Sequence, residues 1–176
     1  MRNKFLIVAL LFPISAAGCA GKKKLPPASV GTSGEAPSIY DEVGEYGTGT
    51  DAATAALQRD LAASAGSDRV LFALDSHGLS AAAQQTLVRQ VAWLRQHPEV
   101  SFTVEGHCDE RGTREYNLAL GERRAKAAAD FLIAQGIAPS RIRTISYGKE
   151  RPDSLGSDEQ SYAANRRAVS IVVRAP

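Results

Sequence analysis

Cysteine is nearly absent from this chain: there are two in 176 residues, Cys19 and Cys108. At most one disulfide can form, which excludes a small scaffold stapled by several bridges. Aromatic residues are also scarce, at 6%, and neither sign of charge dominates, with 21 basic residues against 19 acidic ones. Arg2 and Lys4 belong to an N-terminal stretch with the marks of a removable segment, and without them the balance is 19 to 19. A neutral chain with few aromatics has no electrostatic footprint for nucleic acid. Long hydrophobic runs are missing as well. The apolar stretch from Phe5 to Ile14, interrupted by Pro13, falls short of the ~20 residues a transmembrane helix needs.

What is present begins with that N-terminal stretch, MRNKFLIVALLFPISAAGC. A short positive region, an apolar run and the small residues Ser15, Ala16, Ala17 and Gly18 form the three-part pattern of a secretory signal peptide over 1–18. Small residues directly before a cysteine resemble a bacterial lipoprotein signal, which implies that Cys19 is lipidated and becomes the first mature residue. Ala16 stands where such signals usually have Leu. Ala20 follows the cysteine in place of the Asp associated with inner-membrane retention, so the resemblance implies sorting to the outer membrane. Several acyl chains at one residue give durable anchoring, because each buried methylene contributes ~0.8 kcal/mol. With Cys19 used by lipid, Cys108 has no intramolecular partner.

Residues 19–67 read as a flexible tether rich in Pro, Gly, Ser and Thr. The alanine-rich stretch 51–65 is a possible short helix with a thin apolar face. From 68 to 176 the pattern is that of a folded domain. Val70 to Leu74 is a short apolar run suited to a buried strand. Ser80 is a candidate N-cap for a helix whose core face is Ala83, Leu87, Val91 and Leu94, ending before Pro98. Val100, Phe102 and Val104 alternate with polar residues, as in a half-buried strand. A long helix over 114–135, capped by Thr113, carries the stripe Gly121, Ala125, Ala128 and Leu132. A strand over 142–147, a short helix over 158–164 and a strand over 169–173 complete a βαβαβ(α)β order. This predicts an α/β fold, a mixed four-stranded sheet with helices packed against it. Gly121 costs its helix ~1 kcal/mol relative to alanine, an expense that close approach to the sheet would offset.

The chemistry concentrates in GHCDERG, residues 106–112. A metal site needs three or four converging ligands, and neighbours in an extended chain point to opposite sides. No second cysteine lies at short spacing, and no cofactor is implied. A nucleophile needs a base and an orienting group. His107 beside Cys108 in sequence does not supply that arrangement, although a periplasmic Cys/His hydrolase is the rival from another functional class. A third reading joins Asp109, at a strand end, to Asn117 and Arg124, two turns apart on one helix face. Such a cup suits a zwitterion, with ammonium at Asp109 and carboxylate at Arg124. The alternative is a structural salt bridge between Asp109 and Arg124, with Glu110, Arg111 and Glu122 as solvated surface. Residue types leave these two readings even.

The longer run GHCDERGTREYNLALGERRA, together with VEGH at 104–107, SYGKE at 146–150 and NRRAV at 165–169, resembles the peptidoglycan-binding signature of the OmpA-like family. The resemblance covers about 69–174. It implies a non-enzymatic wall-binding domain in which Asp109 and Arg124 hold the amine and carboxylate of diaminopimelate in the stem peptide. It also implies that Thr113, Asn117 and Leu120 line the pocket and that Leu74 and Asp75 stand at its rim. Phe72-Ala73-Leu74-Asp75 departs from the family's usual Phe-Asp-Phe-Asp, keeping only the second acid. The implied location is the outer membrane with the domain in the periplasm. The implied partners are peptidoglycan, TolB and other Tol proteins; a related wall-binding lipoprotein without Tol partners would share these motifs.

Overall fold

The computed structural model describes residues 52–174. The expected signal peptide, Cys19 and most of the expected tether lie outside the described residues. Nine segments follow in order: α1 (Ala52–Ala65), β1 (Arg69–Leu71), α2 (Ala81–Gln96), β2 (Val100–His107), α3 (Arg114–Ala134), a 3-10 turn (Pro139–Arg141), β3 (Ile142–Gly148), α4 (Glu159–Asn165) and β4 (Arg167–Arg174). The sheet order is β1-β4-β2-β3. Only β2 and β3 run parallel, joined through α3, while β4 inserts between β1 and β2 antiparallel to both.

The periodicities account for the layers. Along β2, Val100, Phe102 and Val104 are buried while Ser101, Thr103 and Glu105 are half-buried. The buried set packs in one core with Leu87, Val91 and Leu94 of α2 and with Ala125, Ala128 and Leu132 of α3. Helices α2, α3 and α4 each start where a side chain satisfies a free N–H: Ser80 accepts from Ala83, Thr113 from Tyr116 and Asp158 from Ser161.

Two boundaries differ from the sequence expectation. The expected tether ends earlier, because α1 belongs to the fold. Leu61 and Ala65 are fully buried in the common core, and Gln58 accepts from the Val172 N–H and donates to the Ser170 carbonyl of β4. Its apolar face is thin because Leu57, Leu61 and Ala65, which meet the core at a spacing of four, stand in a run of alanines that gives the face little contrast. The first strand is also shorter than Val70–Leu74. β1 is an edge strand whose partner β4 begins at Arg167, opposite Leu71. Phe72 still donates to the Arg166 carbonyl, after which the chain has no strand to pair with and turns through Ala73–Ser76. Leu74, expected inside a buried strand, is 58% exposed.

The crossing of α3 over β2 positions the site. A Cβ on Gly106 would overlap the backbone of Gly121, and one on Gly121 would overlap Ser146 Oγ and crowd the Gly106 carbonyl. Backbone-to-backbone contact at this pair is the reason Gly121 is tolerated mid-helix. The close crossing brings the first two turns of α3 beside the loop that leaves β2.

Candidate functional site

A cavity of about 240 Å³ opens where β2 ends, bounded by the 108–112 loop, the start of α3 and the β1–α2 loop. Gly112, at φ 88°, adopts a left-handed conformation that lets the loop double back into Thr113 and α3. Asn117 Nδ2 donates to the carbonyls of Arg111 at 2.7 Å and Thr113 at 3.1 Å, so a helix side chain ties down the loop before it.

Asp109 is buried in the cavity wall and accepts four hydrogen bonds. Arg111 supplies its backbone N–H and Nε to Oδ1, both at 3.2 Å, and Nη2 to Oδ2 at 2.6 Å. Arg166 Nη1 reaches Oδ2 at 3.3 Å. Burial pushes this carboxyl upward, but the bonds from Arg111 and Arg166 outweigh it and hold the group below the usual carboxylate range. Asp109 is therefore an anion at neutral pH.

Arg124 has 0% exposure and closes the floor of the same cavity. Its Nε donates to the Ser76 carbonyl at 2.8 Å, Nη1 to His107 at 2.9 Å and Nη2 to Ala73 at 3.1 Å. Its guanidinium also lies 5.3 Å from the Phe72 ring centroid. One side chain thus staples the β1–α2 loop to the end of β2. Burial lowers its pKa, yet arginine stays charged in any protein environment.

The expected pocket residues divide into two groups. Leu74, Asp75, Asp109, Asn117, Leu120 and Arg124 all line the cavity. Asp109 and Arg124 share it but do not pair, so the structural salt bridge between them is not formed; each is satisfied by other groups. Thr113 is not among the lining residues, because its hydroxyl caps α3 instead. Asp75, at φ 51°, holds the rim turn and accepts from the Tyr116 hydroxyl, which also lines the cavity.

Three contributors were not expected. Arg111 was read as solvated surface, yet it is the main partner of Asp109 and stacks on Tyr162 of α4 at 4.4 Å. Arg166 comes from the far end of the chain, held by the Phe72 carbonyl at 3.2 Å and Glu159 at 2.7 Å. Glu159 also lies 3.8 Å from Arg111 Nη1. The available signal was Arg166-Arg167 directly preceding an apolar strand, since two arginines at the mouth of a buried element need partners.

His107 and Cys108 have separate surroundings. The His107 ring stacks on Tyr147 at 5.6 Å, with Nε2 3.5 Å from Glu105 Oε2. Cys108 lines the cavity and donates its thiol to the Asn117 carbonyl at 3.3 Å. Burial pushes the thiol up, so it stays protonated. A thiolate nucleophile activated by its sequence neighbour does not match this geometry. Among the described residues, no group of three or more His, Cys, Asp or Glu side chains is placed to hold a metal ion.

A mixed sheet with helices packed on its face and a polar cup at the end of β2 define a class, and the chain belongs to it: the OmpA family, whose model matches residues 71–166. Its relatives are more particular, and they are peptidoglycan-associated lipoproteins. The chain is 45% identical to that of Brucella melitensis over 167 residues, covering 95% of this chain and 90% of that protein. It is 41% identical to that of Pseudomonas aeruginosa, covering 94% of each. The crystal structure of the peptidoglycan-associated lipoprotein from Burkholderia pseudomallei superposes with a TM-score of 0.60 at 39% identity, over 61% of this chain and 92% of that one. The C-terminal domain of Helicobacter pylori MotB shares the fold at 20% identity, with a TM-score of 0.58.

Proposed function

We propose that this chain is an outer-membrane lipoprotein that binds peptidoglycan without converting it and so fastens the outer membrane to the cell wall. The domain takes the diaminopimelate end of a stem peptide in the cavity at the end of β2. Its ammonium goes to Asp109. Its carboxylate goes to the Arg124 side, where the β1–α2 loop yields one of the two carbonyls it presents to that guanidinium. Leu74, Tyr116 and Leu120 supply apolar contact for the methylene chain between. Residues 1–18 act as the signal peptide, Cys19 carries the lipid, and the chain before α1 is the tether. TolB and other Tol proteins are the partners implied by the same resemblance.

The observation that carries this reading is one cavity bringing together a buried anionic carboxylate and a buried guanidinium, in a chain 45% identical to proteins of that name. The cavity holds no activated nucleophile beside it, so binding is the chemistry it supports. The test is sedimentation of the intact chain, in mild detergent, with purified sacculi. Asp109→Ala should weaken binding by ~2–5 kcal/mol, much of it from leaving the ligand's charge unpaired. Free diaminopimelate should compete. Undiminished sedimentation of Asp109→Ala, or indifference to diaminopimelate, would sink the assignment. Digestion of sacculi that stops on thiol blocking would revive the hydrolase.

A further inference from the structure

Asp109 is already full. A carboxylate offers about four lone-pair directions, and Arg111 and Arg166 use four of them. An incoming ammonium has no vacant acceptor there unless one donor leaves. The four donors are not equally free to go. The Arg111 N–H is held in the turn that Asp109 itself closes. Arg166 is 8% exposed and pinned from two other directions, by the Phe72 carbonyl and Glu159. The Arg111 side chain is 39% exposed and stands at the cavity wall, and its guanidinium gives Asp109 two of the four bonds.

That guanidinium also has somewhere to go. It lies over the Tyr162 ring at 4.4 Å, and Tyr162 is fixed by its hydroxyl donating to Glu110 Oε1 at 2.8 Å. Beyond it stands the exposed Glu159 carboxylate, with Oε2 3.8 Å from Arg111 Nη1, a distance too long for a hydrogen bond. Sliding across the tyrosine face toward Glu159 would release Asp109 while keeping the ring contact and shortening the second ion pair. The motion is a side-chain rotation at an exposed residue, not a rearrangement of the fold.

We propose that Arg111 is an internal competitor for the ligand's ammonium: it occupies Asp109 in the free protein, is displaced on binding, and is received by Glu159 on α4. This rests on the reading that Asp109 takes the diaminopimelate ammonium. Binding is then an exchange of cations on one carboxylate, and affinity is set by the difference between the two pairs. The device keeps a buried anion satisfied when no wall is in reach, and it moderates the affinity for the wall.

The experiment is calorimetric titration of the intact chain, in detergent micelles, with the tripeptide L-alanyl-γ-D-glutamyl-meso-diaminopimelate. Arg111→Gln should bind it more tightly, by roughly 3- to 5-fold, the scale of a half-exposed ion pair. Tightening is a change that structural damage does not produce. Glu159→Gln should weaken binding about 2-fold in the wild-type background, on the same scale, and should change nothing in the Arg111→Gln background, where no guanidinium needs receiving. Arg111→Gln binding equally or more weakly, while Asp109→Asn still abolishes binding, overturns the exchange and makes Arg111 a bystander or a direct ligand contact. Asp109→Asn binding like the wild type instead removes the reading on which the exchange rests.

Discussion

Arg111 and Arg124 line the same cavity and spend their charge in different ways. Arg124 is sealed from water and gives its donors to three backbone carbonyls on two separate segments. Arg111 is half out in solvent and gives its donors to one carboxylate two residues away. A guanidinium that satisfies buried carbonyls cannot leave without stranding them. One that pairs with a carboxylate at the surface can exchange partners at small cost. Burial and partner type, more than charge, separate the structural arginine from the exchangeable one.

The largest test of that difference is Arg124→Ala. Taking away the Arg124 donors from the carbonyls of Ser76 and His107, and one of the two donors to that of Ala73, should cost about 2–4 kcal/mol in urea unfolding, given ~1–3 kcal/mol for each buried group left unpaired. Arg124→Lys should recover only part, because an ammonium cannot reproduce the planar fork. Loss of wall binding by Arg124→Ala therefore has to be read beside its stability. Next comes Gly121→Ala, whose added methyl overlaps Ser146 Oγ and crowds the Gly106 carbonyl. Overpacking should cost roughly 1–3 kcal/mol. It should also disturb Arg124, carried by the same helix beyond the contact, more than the Arg111–Asp109 pair within the loop.

A smaller effect appears in acid. Asp109 has a depressed native pKa, so its stabilising contribution is complete above the unfolded aspartate value of about 3.9. That contribution is lost as pH falls through the lower native value. Asp109→Asn should flatten that part of the stability–pH profile, measured by thermal unfolding between pH 6 and pH 2. If the profile of the variant matches the wild type, Asp109 is not held by its arginines as described. The smallest effect belongs to Arg111→Gln, which should leave thermal stability close to that of the wild type while changing ligand affinity. A large loss of stability would place Arg111 with Arg124 and erase the contrast.

Much of the architecture was legible because it depends on local period and on capping. Val100, Phe102 and Val104 alternate as expected, and Ala83, Leu87, Val91 and Leu94 form one buried face. Ser80 and Thr113 cap where their residue types and positions indicate. Position within the sheet was not legible. β1 stops at Leu71 because β4 begins opposite it, a fact held by residues nearly a hundred positions away. The role of α1 was not legible for a different reason: its docking face, Leu57, Leu61 and Ala65, lies in a run of alanines and so has little contrast. At the site, Asp109, Asn117 and Arg124 line one cavity, since strand-end and helix-face geometry follows from spacing. The partners that lie far along the chain, Ala73 and Ser76 for Arg124 and Arg166 for Asp109, were not legible, because packing and not spacing brings them in.

By itself, then, the sequence determined which elements form, where α3 begins, and that a carboxylate and a guanidinium would meet at the end of β2. It did so because caps, periods and i to i+7 spacing act over a few residues of chain. Only the tertiary structure decided what each charge is paired with. It separated Asp109 from Arg124, gave Arg124 to backbone carbonyls, and brought Arg166 to Asp109 and Glu159 beside Arg111. The reason is that a buried charge takes whatever partner the packing places within about 3 Å, and packing joins segments that the order of residues keeps apart.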